Sequence, residues 1–132
     1  MTQIAPSRMQ TIQQFLNERS ASSGFLASVL TDSDGLPLIS SIQDENRLDE
    51  MLASAAPLIR RTIQRSNERA GFSDAYEIVI NNSDQSRMAC RFFEVKNQAL
   101  ILICIVPKNL SYRQNMNRMV RTVSDNWAGQ TP

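Results

Sequence analysis

Residues 99–106, ALILICIV, are apolar at every position. The run falls far short of the roughly 18 residues that a membrane-crossing helix needs. A strand with one wet face alternates in polarity, whereas a strand covered on both faces does not. This stretch therefore reads as a central strand between two layers. That requires further strands on either side of it and apolar helix faces above and below.

The rest of the 132 residues supplies them. The spacing of Met9, Ile12, Phe15 and Leu16 predicts an amphipathic helix over 7–19, with Ser7 and Gln10 as a capping box and the tract Ser20–Gly24 as its stop. Strands over 25–32 and 36–41 flank Asp34-Gly35, a dipeptide suited to a tight connection. Pro37 lies inside the second of them and cannot donate to a ladder, so that strand belongs at a sheet edge. A long helix follows over 44–70, acidic at its start (Asp44, Glu45, Asp49, Glu50) and basic at its end (Arg60, Arg61, Arg65, Arg69), in the order that complements the helix dipole. Gly71 is its stop. Pro57 would cost about 3 kcal/mol inside a helix, which predicts a kink or break near residues 53–56. Strands over 75–81, 87–95 and 99–106 form a meander, and a helix capped by Asn109 or Ser111 runs over 110–127. Its apolar stripe is Tyr112, Met116, Met119 or Val120, Val123 and Trp127.

One domain over residues 1–132 accounts for this order as an α/β sandwich of three layers. Its sheet is five-stranded and antiparallel, in the order 2-1-5-4-3. The first and last helices cover one face and the long helix the other. Two surpluses point outward. Leu48, Leu52, Ala55, Ile59 and Ile63 suffice to cover the sheet, yet Met51, Ala55, Leu58 and Thr62 add a second stripe. The third strand, AYEIVIN, is the other free edge, with no proline and one charge. A second copy of the chain would cover both, through Met51, Ala55, Leu58, Thr62, Tyr76, Ile78 and Ile80.

Chemistry is conspicuously missing. There is no histidine, which removes the commonest general base and metal ligand and any Ser-His-Asp triad. No P-loop motif occurs. The TDSDG loop lacks the spaced oxygen ligands of a calcium site. The chain is read as a non-enzyme with no metal and no cofactor. A net charge of +1 and 6% aromatic residues argue against nucleic acid as a partner, and no segment argues for membrane insertion. The N-terminus lacks a basic segment followed by a long apolar one, so the expected compartment is the cytoplasm with reduced thiols. A three-residue turn at residues 96–98 would set Cys90 opposite Cys104, where a disulfide is conceivable; two buried free thiols is the reading adopted.

With the hairpin ASVLTDSDGLPLISS leading into NRLDEMLASAAPLI, this plan resembles the roadblock/dynein light-chain family over nearly the whole chain. The resemblance implies the roadblock (profilin-like) sandwich and a homodimer, or a heterodimer with a related subunit, built through the long helix and the third strand. It implies a non-enzymatic adaptor or regulator that binds a small Ras-like GTPase, or a multiprotein signalling or motor complex. Such a protein acts by differential affinity for two conformations of its partner. Arg60, Arg61 and Arg65 are the candidate contacts to acidic or phosphate groups. The alternative is a ligand-sensing module of PAS or profilin-like architecture, with a pocket lined by Met116, Met119 and Phe92 or Phe93.

Overall fold

The computed structural model describes residues 6–42 and 48–128. The element order is α1 (Pro6–Ser23), β1 (Ala27–Asp32), β2 (Pro37–Ile42), α2 (Leu48–Ala53), α3 (Ala56–Arg69), β3 (Glu77–Asn81), β4 (Arg87–Val95), β5 (Gln98–Val106) and α4 (Arg113–Ala128). The strands form one antiparallel sheet in the order β2-β1-β5-β4-β3. The apolar run is β5, at the centre, with Leu100 to Cys104 wholly buried. Asp44 and Glu45, and the side chains of Leu48 and Met51, lie outside the described residues.

Period-two alternation divides β5 between two cores. Leu100, Leu102, Cys104 and Val106 face Ile12 and Leu16 of α1 and Met116, Met119, Val123 and Trp127 of α4. Ile101 and Ile103 face Leu52 and Ala53 of α2 and Ala56, Ile59 and Ile63 of α3. This is the three-layer sandwich that the apolar strand demanded.

Pro57 explains why the long helix is two helices. It occupies the first turn of α3, where its missing N–H would have had no helical partner. The chain breaks just before it, between Ala53 and Ala56. The β1–β2 hairpin fits against this break. Asp32 Oδ1 accepts from the N–H groups of Asp34 (3.0 Å) and Leu36 (2.9 Å), which shapes the turn. Gly35, at φ +95°, lies so close to the break that a Cβ there would sit 3.2 Å from the Ala53 carbonyl oxygen.

Three sequence expectations are corrected. The first helix runs through the serine tract to Ser23, because Ser20 is buried and its hydroxyl bonds that of Ser28 on β1 at 2.9 Å. Asn109 is at φ +63° in the approach to α4, and the helix starts only at Arg113, so neither proposed cap holds its start. The cysteines do not face each other. Val95 pairs with Gln98 across a two-residue turn whose Lys96 and Asn97 both have positive φ, which matches the right-handed twist of a hairpin. Cys90 thus pairs with Ile103, and Ala89 with Cys104. One residue of turn length turns the register, so the thiols lie in opposite cores, free and buried. Burial pushes both up to about 12.

Candidate interaction surface

The surface begins at β3, which among the described residues pairs only with β4. The phase of its ladder follows from two flanking bonds. Phe92 N–H donates to the Tyr76 carbonyl at 2.8 Å, and Asn82 N–H to the Ser86 carbonyl at 2.8 Å. In an antiparallel ladder the residues that bond a given neighbour alternate. Tyr76, Ile78, Ile80 and Asn82 therefore turn their main chain toward β4, whereas Glu77, Val79 and Asn81 turn theirs to the open edge.

Cross-strand registers make a row of Ala27, Ile105, Met88 and Ile80 on the α2/α3 face. The neighbouring row, Val29, Ile103, Cys90 and Ile78, has its first three members wholly buried. The Ile80 row emerges toward solvent as it approaches the edge. Ala27 is wholly buried, Ile105 and Met88 are half-buried, and Ile80 is 52% exposed. A groove of about 340 Å³ is floored by Ile80, Met88 and Ile105. The apolar face of the sheet extends further than the protomer's own helices cover it.

On α3, Ala56, Ile59 and Ile63 point inward and Leu58 stands 64% exposed. Thr62 Oγ1 donates to the Leu58 carbonyl (2.8 Å) and Ser66 Oγ to the Thr62 carbonyl (3.0 Å). These hydroxyls are satisfied within the helix, so the outer stripe of Leu58 and Thr62 presents carbon to its surroundings. Ala55 is half-buried at the break. Of the predicted pairing residues, Leu58 and Thr62 share an exposed helix face, and Tyr76, Ile78 and Ile80 share a sheet edge.

The arginines grouped together by sequence are not equivalent. Arg61 and Arg65 are exposed, but Arg60 is half-buried and its Nη1 donates to Ser33 Oγ of the hairpin at 3.1 Å. It flanks a second groove, of about 310 Å³, with Tyr76 and Phe92. Of the residues expected to line a sensing pocket, Met116 and Met119 are wholly buried in the α1/α4 core with Phe93 packed against them, whereas Phe92 packs into the opposite core.

A polar cluster behind the edge escaped the sequence reading. Glu77 Oε1 accepts from Arg91 Nε (3.0 Å) and Nη2 (2.6 Å), and Glu77 Oε2 accepts from the Tyr112 hydroxyl (3.1 Å). Arg91 Nη1 also donates to Asn117 Oδ1 of α4. Burial, and then the neighbouring Glu77 carboxylate, hold the Tyr112 phenol above its usual value. The available signal was the direct pairing of Glu77 with Arg91, visible only once the β3–β4 register is known.

No protein-family model matches this chain, and no curated protein matches it in sequence. Solved structures do match it in shape. MglB of Myxococcus xanthus superposes with a TM-score of 0.80 at 12% identity, over 98% of this chain and 97% of that one. An MglB with a tetrameric arrangement gives 0.78 at 13% identity, over 94% and 93%. A Roadblock/LC7 domain from Streptomyces avermitilis gives 0.61 at 15% identity, over 92% and 95%. The fold is the roadblock fold.

Proposed function

We propose that the chain is a non-enzymatic subunit that pairs with a second copy of itself through β3 and α3, and that the paired protein regulates a small Ras-like GTPase. The observation that carries the pairing is the coincidence, at one edge, of outward main-chain groups, an uncovered apolar row and the exposed Leu58. A two-fold axis at Val79 uses every outward group of β3, pairing Val79 with its own copy and Glu77 with Asn81. Ile80 then faces Ile78 of the second copy, which belongs to the row buried beneath that copy's helices. The second copy thereby brings its α3 toward the groove over Met88 and Ile105.

The GTPase arm is supported by the likeness of the whole chain to MglB structures, one of which is described as tetrameric, and by the roadblock resemblance. It takes the exposed Arg61 and Arg65 as contacts for an acidic switch segment. Arg60 acts with them only on releasing Ser33. The chain would bind one nucleotide state of its partner better than the other and shift the populations accordingly.

The test has two parts. Light scattering after size exclusion is expected to give a dimer at tens of micromolar for the wild type and a folded monomer for Leu58→Glu. Titration with small Ras-like GTPases from the same genome is expected to favour one of the GDP-loaded and non-hydrolysable-GTP-loaded forms by about tenfold or more. A wild-type monomer would end the pairing proposal, and equal or absent affinity for both forms would end the regulatory one.

A further inference from the structure

Glu77 and Arg91 form the one ion pair among the described residues, at the first residue of the open strand. Their side chains are 14% and 6% exposed. Burying such a pair costs desolvation that its attraction barely offsets, and apolar side chains of similar volume would serve stability as well or better. What the charges add is fixed geometry, since a guanidinium holding one carboxylate oxygen through two N–H groups tolerates little displacement.

That geometry spans three elements. Glu77 is on β3, Arg91 on β4, and their further hydrogen-bond partners are Tyr112, at the entry to α4, and Asn117 within it, while the Arg91 guanidinium also lies over the Tyr76 ring at 5.6 Å. β3 is short, held on one side and prone to fray from its ends. Glu77 lies at the end of β3 away from the β3–β4 turn, and its main chain is among those turned outward. We infer that Glu77, Arg91, Tyr112 and Asn117 form a positioning device that holds the leading residue of the open edge in pairing geometry and makes it depend on the docking of α4. This rests on the reading that a second copy pairs with β3. It adds that association of protomers and docking of α4 are thermodynamically linked, each strengthening the other.

Asn117→Ala and Tyr112→Phe each remove a contact from the α4 side and leave the Glu77–Arg91 pair intact, so neither strands a buried charge. The readouts are the dissociation constant of self-association by sedimentation on protein shown to be folded by circular dichroism, and hydrogen exchange at the Val79 and Asn81 amides. Each variant is expected to weaken association about three- to tenfold and to speed exchange at both amides. A lowered Tm with an unchanged dissociation constant would show an ordinary structural contact, overturning the inference and sparing the dimer. A wild type that does not associate, and whose Val79 and Asn81 amides exchange freely, would overturn the dimer and the inference together.

Discussion

The two edges of the sheet are built on opposite principles. At β2, Pro37 removes a donor, an irregularity between Leu30 and Thr31 breaks the register, and Gln13 of α1 donates its side-chain amide to the Ser40 carbonyl at 2.8 Å. At β3 the residues are EIVIN, with no proline, and the main chain of Glu77, Val79 and Asn81 faces outward beside an exposed Ile80. An unprotected edge is a template for another strand, and proteins blunt the edges they do not use. The difference teaches that this fold closes one side with its own atoms and leaves the other open, at the edge where the proposed second copy would pair.

The sharpest way to break that comparison is proline in β3. Val79 turns its N–H outward, so Val79→Pro costs no bond to β4. It should abolish self-association, a loss on the order of a hundredfold or more, with the fold retained. Ile78→Pro instead removes a bond to Cys90, and should destabilise the protomer itself by about 1–3 kcal/mol. Equal behaviour of the two in thermal melts and sedimentation would refute the assigned phase of the edge.

A smaller effect compares the two cores. The folded pKa values of Cys90 and Cys104, near 12, exceed the ordinary thiol value of 9.0. Above 9 the unfolded chain releases protons that the folded chain retains, so stability is full below that pH and is lost as pH rises toward 12. The melting temperature should therefore fall between about pH 8 and about pH 11, and fall less in Cys104→Ala. An equal fall would place the alkaline titration elsewhere. The smallest effect concerns the defended edge. Pro37→Val should leave the melting temperature nearly unchanged while larger, concentration-dependent species appear in sedimentation. Their absence would mean that the register irregularity and Gln13 suffice to block that edge.

Sequence alone determined the strand order, the three layers, the identity of both edge strands and the break ahead of Pro57. These are written in single residues or short runs: an apolar stretch without alternation is central wherever it lies, and a proline cannot donate in any context. The tertiary structure decided what depends on register and on distant partners. A two-residue turn at Lys96 and Asn97, one residue shorter than expected, sent Cys90 and Cys104 to opposite faces. Arg60 reads as one of three free cations until the hairpin brings Ser33 to it. Tyr112 reads as one member of an apolar stripe until the β3–β4 register sets Glu77 beside Arg91 and α4 closes over both. Periodicity reports which way a side chain faces, but the group it meets is chosen by packing between segments far apart in the chain, and no local pattern carries that choice.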